Sequence, residues 1–151
     1  MNAIMRERLT YLALTLTFIA IIICVNPLRI QPYTFILLIL AVFRLGRLIA
    51  FDKVFAWYRS PFVETVLDDS GAGMTTQPRG LGPRRVIGEL VSCPICAGTW
   101  AALGLIIGLA YLPTVTYTLI LVMAIAGAIE VFHALTEAMQ WTGEAQRKES
   151  A

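Results

Sequence analysis

Four long apolar segments constrain this chain more than any other feature of its sequence. They cover about residues 9–25, 33–51, 93–112 and 115–135. A helix needs about 20 apolar residues to cross the ~30 Å hydrocarbon core of a bilayer. The first, second and fourth segments are long enough by themselves, and the third is long enough if its helix begins near Cys93. The sequence therefore predicts an all-α integral membrane protein with four transmembrane helices in a single domain, residues 1–151.

The composition argues against a soluble domain. Hydrophobic residues make up 58% of the 151 positions and charged residues only 15%, and the mean hydropathy is +0.73. Soluble domains typically carry about 25% charged residues. The net charge is only +2, and the basic residues form no stripe with interleaved aromatic residues, so no nucleic-acid interface is expected. The expected partner of so much apolar surface is the lipid bilayer.

Breaks between the segments predict how the helices are connected. Asn26-Pro27 through Gln31-Pro32 separates the first two segments, and Pro113 separates the last two. Because both connections are short, each pair of helices is predicted to form an antiparallel hairpin. The two hairpins are then joined by a long loop over residues 52–92. Because no small-residue cleavage site follows the first segment, we expect a retained helix rather than a signal peptide.

The basic residues predict the orientation. With four spans, both termini and the long loop share one side, which holds nine of the 12 basic residues, whereas the other side holds only Arg29. The nine are Arg6, Arg8, Lys53, Arg59, Arg79, Arg84, Arg85, Arg147 and Lys148. Short loops rich in Lys and Arg stay in the cytoplasm. We therefore expect a prokaryotic plasma-membrane protein with both termini and the long loop in the cytoplasm.

The long loop has two different compositions. Apolar residues recur at helical spacing between residues 54 and 66, and Ser60-Pro61 is a pair that can cap and begin a helix. This half is predicted to form a short helix along the membrane interface. Residues 68–85 are rich in Gly and Pro, which predicts a flexible loop in solvent.

Charged residues inside two of the segments are the first candidate site. Arg44 and Arg47 share one face of the second helix, and Glu130, His133 and Glu137 share one face of the fourth. Both faces are expected at the same depth near the cytoplasmic side, where an unpaired charge costs about 2.5 kcal/mol or more. We therefore predict that Arg44 or Arg47 pairs with Glu130. An ion pair that fixes helix packing is favoured over a proton or ion path or a lipid-headgroup site, because the other two segments continue no polar track.

The second candidate site is Cys93-Pro94-Ile95-Cys96. Proline suits the first helical position, so Cys93 precedes the helix and both cysteines lie on one face, one turn apart. A helix N-terminus favours the thiolate form, which suits a redox dithiol or a pair of metal ligands. Zinc is the metal considered, although a structural zinc site usually takes four ligands, so a second copy of the chain would have to supply two. The alternative is a purely structural role, which is also the interpretation of Cys24.

Small residues at four-residue spacing are the third feature. Gly104 and Gly108 lie on the third segment, and Ala124 and Ala128 lie on the fourth. This spacing lets helix backbones approach closely in a membrane. Packing within the second hairpin is the favoured interpretation, and oligomerisation through the two glycines is the alternative.

The order of these motifs resembles a known family. An arginine-bearing helix (residues 41–52) is followed by a charged loop and by the sequence GELVSCPICAGTWAAL at residues 88–103. The pattern is similar to that of the small bacterial and phage membrane proteins grouped as domain of unknown function 1360, which carry a Cys-Pro-x-Cys motif with tryptophan four residues later. The matching positions here are Arg44, Asp52, Gly88, Cys93, Pro94, Cys96 and Trp100. The resemblance implies a multi-pass membrane protein without an established activity, and it leaves out the first helix and the Glu130–His133 face.

The sequence contains no complete catalytic constellation, so no enzyme is expected. The leading hypothesis is a non-enzymatic structural or accessory subunit that packs against itself, as a homo-oligomer, or within a larger membrane complex. One alternative is a membrane-anchored thiol redox or zinc protein that uses Cys93 and Cys96. Another is a small channel, transporter or phage-type hole-former that depends on Arg44 and Glu130.

Overall fold

A computed structural model describes residues 2–24, 30–67 and 74–149 of the chain. In chain order its elements are α1 (Ala3–Cys24), α2 (Pro32–Ala50), a 3-10 turn (Lys53–Phe55), α3 (Ala56–Arg59), β1 (Val63–Leu67), β2 (Met74–Pro78), α4 (Pro83–Ser92), α5 (Pro94–Tyr111) and α6 (Pro113–Glu149). By length and composition α1, α2, α5 and the Pro113–Trp141 part of α6 could each cross a membrane. The prediction of four long apolar helices is confirmed. The break predicted at Asn26-Pro27 lies outside the described residues.

The central helix is α2, which packs against both α5 and α6. The buried cluster between these three helices consists of Leu38 and Ala41 from α2, Leu105 from α5, and Ile120 and Ala124 from α6. Small side chains such as the two alanines let the helix backbones approach each other. The three helices therefore form a bundle with its own core, which we call the three-helix bundle.

By contrast, α1 lies at the edge of the molecule, and none of its residues is buried. The hydroxyl of Tyr11 donates a hydrogen bond to Glu89 on α4. The ring of Phe18 meets Trp100 of α5 edge to face, with the ring centroids 5.3 Å apart. These contacts attach α1 to α4 and α5, and the predicted pairing of α1 with α2 stays a prediction.

The segment between α2 and α5 departs most from the sequence prediction. Its helical turns end at Arg59, before Ser60-Pro61, and the chain then forms an antiparallel pair of strands, β1 with β2. The fold is therefore not all-α, and the short helix predicted to begin at Pro61 is wrong. Three of the five residues of β1 are β-branched, and such residues favour extended backbone.

Helix α4 was also not expected, because its first three residues lie in the stretch 68–85 interpreted as a flexible loop, and residues 86–92 were assigned only to the long loop. Pro83 occupies the first turn, where proline suits a helix. Val86 and Val91 are buried, so α4 packs through an apolar face. At the other end of the chain, α6 continues beyond residue 135, the predicted limit, to Glu149. Its later residues are mostly good helix formers, which explains the continuation.

Candidate functional site

The charged residues of α2 and α6 form one cluster with a carboxylate that follows α2. Arg44 bridges two carboxylates, since its Nη2 donates to Oδ2 of Asp52 at 2.6 Å and its Nη1 to Oε2 of Glu130 at 3.4 Å. Arg47 donates from Nε to the other oxygen of Glu130. We call Arg44, Arg47, Asp52 and Glu130 the ion cluster. It holds two positive and two negative charges, so each charge has a partner of opposite sign.

A close approach of two backbones brings α6 to this cluster. Gly127, one turn before Glu130, lies against α2, where an added Cβ would overlap the carbonyl oxygen of Leu40. Only glycine allows the helices to come this near. The sequence analysis did not single out Gly127, although a small residue one turn from a buried charge was a signal that could have found it.

Two further residues of this region were missed as parts of the site. Asp52 follows α2 in an extended conformation and was noted only through the family pattern. Arg59 is buried, and its Nη1 donates to the carbonyl oxygens of Ile49 at 2.5 Å and Asp52 at 3.1 Å. Carbonyls at a helix C-terminus lack partners within the helix. Arg59, the last residue of α3, therefore caps the C-terminal end of α2 and holds α3 against it. No sequence signal distinguished Arg59 from the other arginines.

His133 lies outside the ion cluster. Its Nδ1 is 3.6 Å from Oε2 of Glu137 on the same helix, and both side chains are more than half exposed. His133 shares a helix face with Glu130, but this does not bring His133 into the ion cluster.

Cys93 and Cys96 lie at the start of α5, as the proline spacing indicates. Cys93 is the residue before the helix, Pro94 occupies the first turn, and Sγ of Cys93 accepts a hydrogen bond from the amide of Cys96 at 3.3 Å. Hydrogen bonds from the side chain and then the amide of Cys96 lower the pKa of the Cys93 thiol. Cys93 therefore forms its thiolate more readily than an ordinary thiol does, and Cys96 is exposed beside it.

The described part of the chain brings no third metal ligand to these cysteines, since it holds no group of three His, Cys, Asp or Glu side chains that could bind an ion. A zinc site at Cys93 and Cys96 would need ligands from outside the described residues. Cys24 is exposed at the end of α1. Its interpretation as a packing residue therefore has no support among the described residues.

The small residues named from the sequence have different surroundings. A Cβ on Gly108 would lie 2.6 Å from Oγ1 of Thr116, so this glycine allows α5 to approach α6. Gly104 has open space around it, with nothing within 4 Å of an added Cβ. Ala124 is buried and Ala128 is half-buried on α6. A tighter contact, not predicted, joins Gly46 of α2 to the start of α5.

Two cavities flank α5. The larger, about 590 Å³, runs between α2 and α5, and we call it the α2–α5 groove. The smaller, about 410 Å³, lies between α1, α4 and α5, and its lining includes Tyr11, Glu89, Cys96 and Trp100. Both are lined mainly by apolar side chains, and each contains part of one candidate site. Arg47 lines the first, and Cys96 lines the second.

Comparison with known proteins gives one family. The family model described as protein of unknown function (DUF1360) matches residues 37–136. This match extends beyond the motif noted in the sequence. It also covers Glu130 and His133.

Two relatives come from Bacillus subtilis (strain 168). The sporulation protein YjcA is 41% identical over 118 residues, which cover 76% of this chain and 98% of the relative. The UPF0713 protein YngL is 37% identical over 102 residues, which cover 66% of this chain and 75% of the relative. No solved structure matches.

Proposed function

This chain belongs to the DUF1360 family of proteins of unknown function, and from that premise we propose that it is a non-enzymatic, multi-pass subunit of a bacterial membrane assembly. In this proposal its four long helices cross the cytoplasmic membrane as two antiparallel pairs. Both termini and the α2–α5 connection lie in the cytoplasm, in agreement with the excess of basic residues there.

The observation that carries the proposal is the exposure of α1. This helix has 22 residues, is apolar enough to span a bilayer, and buries none of them against the rest of the chain. A helix that contributes so little to its own fold supports a role in contact with another protein chain. The apolar side chains of Leu12, Leu16 and Ile19 are about half exposed and available for such a contact.

The ion cluster supports packing rather than transport. Glu130 is held by two arginines and Arg44 by two carboxylates, so the charges stabilise the contact of α2 with α6. A proton relay needs ionisable side chains that continue across the membrane, and the ion cluster lies at one depth only. The hypothesis of a channel, transporter or hole-former stays a prediction that liposome leakage would test.

Photocrosslinking in the native membrane tests the proposal. A photoreactive residue placed at Ile19 of α1 should give a crosslinked species larger than the 16.6 kDa chain. The matched control is the same residue at Phe18, which faces Trp100 and should give less of that species. The name of YjcA links that relative to sporulation, so a sporulating host is the setting of choice. A lone monomer in native mass spectrometry, with no crosslink from Ile19, would contradict the proposal.

The cysteine geometry favours a second candidate function, thiol–disulfide exchange with a partner protein. The Cys93 thiolate would attack a disulfide of the partner and displace one partner thiolate, forming a mixed disulfide. The Cys96 thiolate would then attack Cys93, which leaves a Cys93–Cys96 disulfide and the partner reduced. The observation that favours this candidate is the lowered pKa of Cys93 beside an exposed second thiol.

Alkylation as a function of pH tests this candidate. Because only the thiolate reacts, Cys93 should reach half of its maximal rate below the ordinary thiol pKa of about 8.5. Substitution Cys96→Ala, in a Cys24→Ser background, removes the side-chain hydrogen bond and should move that midpoint upward. An unchanged midpoint, or thiols that form no disulfide with an oxidised small-molecule disulfide, would exclude the candidate.

A further inference from the structure

The α2–α5 groove has the shape of a site for an extended chain. The groove is lined by residues along both helices, which include Phe35, Ile39 and Arg47 from α2 and Pro94, Ala102 and Ile106 from α5. From Phe35 to Arg47 the rise along α2 is about 18 Å. Half of the hydrocarbon core of a bilayer measures about 15 Å. The groove is thus about as long as one leaflet is deep.

One end of the groove carries a guanidinium with unused donors. Nε of Arg47 donates to Glu130, and the guanidinium carbon lies 5.8 Å from the ring centre of Phe43 and 5.6 Å from that of Phe51. Among the described residues no acceptor is bonded to its two Nη groups, and the side chain is 44% exposed. The guanidinium fork matches the oxygens of a phosphate.

The charge around this end is positive. Among the described residues between 44 and 59, and on the face of α6 that carries Glu130, four side chains are basic and three are acidic, which gives a local net charge of +1. They are Arg44, Arg47, Lys53 and Arg59 against Asp52, Glu130 and Glu137. The ion cluster itself is neutral, so the excess comes from Lys53 and Arg59 against Glu137. Such an excess beside a membrane helix attracts anionic lipids.

Exposed aromatic residues mark the level of the membrane surface near Arg47. Phe51 is 56% exposed and Trp57 is 74% exposed, and both follow the C-terminal end of α2. Tryptophan and other aromatic side chains are enriched at headgroup level. Arg47 lies one turn before Phe51, about 6 Å deeper, from where its side chain can extend to a phosphate.

We infer that the α2–α5 groove binds an anionic glycerophospholipid, with an acyl chain along the groove and the phosphate on Arg47. The inference rests on the proposed function in so far as the chain spans a membrane. The occupant follows from charge complementarity, because the groove joins a long apolar wall to one donor fork in a positive surrounding. A neutral acyl chain alone would leave the two Nη groups of Arg47 without an acceptor, and a zwitterionic lipid would gain less from the excess charge.

Native mass spectrometry of the full chain released from nanodiscs tests the inference. Nanodiscs of equal amounts of phosphatidylglycerol and phosphatidylcholine, with the same acyl chains, should yield protein that retains phosphatidylglycerol at least tenfold more than phosphatidylcholine. Substitution Arg47→Gln should remove this preference, whereas Arg85→Gln, at an exposed pair with Glu89 outside the groove, should keep it. Glu130 keeps its contact with Arg44 in the Arg47→Gln variant, so the fold is expected to survive.

A second pair of variants tests the groove itself. Ala102→Phe fills its middle and should reduce retention of either lipid at least tenfold. Ala110→Phe makes the same exchange at an exposed position of α5 outside the lining and should change nothing. Equal retention of both lipids by the wild type, or no effect of Ala102→Phe, would overturn the inference. Loss of a protein–protein contact in Ala102→Phe with unchanged lipid retention would also overturn it and assign the groove to a protein partner.

The same measurement separates this inference from the proposed function. A chain that does not enter nanodiscs contradicts the membrane proposal, and a chain that enters as a monomer with bound phosphatidylglycerol contradicts only the assembly proposal. A chain that enters in a larger complex without lipid preference contradicts only the lipid site.

Discussion

Helices α1 and α2 have nearly the same length, and both are apolar enough to span a bilayer. Yet α2 lies in the three-helix bundle, whereas α1 lies at the edge of the molecule. α2 buries Leu38, Ala41, Gly46 and Ala50 against its neighbours, whereas α1 buries nothing. Three of the four residues buried on α2 are glycine or alanine, and α1 contains no glycine. Lipid tails are as apolar as leucine, so hydropathy alone places both helices in a membrane. The small residues of α2 determine that α2, and not α1, packs closely against other helices.

The two helices also differ in how they are attached. α2 is joined to α6 through the ion cluster and to α5 through a close approach at Gly46, which involves backbone on both sides. α1 is attached by two hydrogen bonds, from Tyr11 to Glu89 and from the amide of Gly82 to Glu7, and by one ring contact. We therefore expect substitutions in the three-helix bundle to affect unfolding of the whole chain, and substitutions on α1 to affect only the position of α1.

The largest effect is expected for Glu130→Leu. The substitution leaves Arg47 without a carboxylate and Arg44 with Asp52 alone, which should lower the free energy of unfolding by about 3 kcal/mol. Unfolding by a denaturing detergent, followed by circular dichroism, measures the change. The matched control is Glu137→Leu, at an exposed position of the same helix. Equal stability of the two variants would show that the ion cluster does not hold α2 to α6.

An intermediate effect is expected for Gly46→Ala. The new Cβ would overlap the carbonyl oxygen of Pro94 and lie 3.2 Å from the Cα of Gly98. Separation of α2 and α5 should cost about 1–3 kcal/mol, as overpacking does elsewhere. The same exchange at Gly104, which has open space around it, should be neutral or stabilise the helix by up to about 1 kcal/mol. A loss of stability at both glycines would mean that the close approach is not the cause.

The smallest effect on stability is expected for Phe18→Leu. This variant removes the ring pair with Trp100, which is worth about 0.5–1.5 kcal/mol, and keeps α1 apolar. The distribution of distances between spin labels at Ile19 of α1 and Ile95 of α5 should broaden. Detergent-induced unfolding of the chain should stay within error of the wild type. A fall in stability as large as that of Gly46→Ala would show that α1 belongs to the packed bundle.

The sequence predicts the long helices and Glu130 as a partner of Arg44 or Arg47, but not Asp52, because the first two follow from the cost of burial. In a bilayer an apolar run of this length is stable as a helix, and an arginine within it must be paired or reach the membrane surface. The start of α5 was also predictable, because proline after Cys93 fixes the first turn.

The region between α2 and α5 could not be predicted in the same way. A five-residue segment such as β1, with apolar residues at three positions, is too short for its pattern to separate helical spacing from strand alternation. Its partner β2 lies in a stretch that composition assigns to a flexible loop. The role of Arg59 depends on where the chain turns after Asp52, so no local pattern could reveal it.

Helix α6 is longer than the hydrocarbon core of a bilayer is thick. Its 37 residues form a rod of about 55 Å, whereas the hydrocarbon core measures about 30 Å. In the proposed topology the last turns of α6 therefore project about 25 Å beyond the hydrocarbon, into the cytoplasm. In that topology the end of α6 lies beyond the lipid headgroups, out of contact with the bilayer.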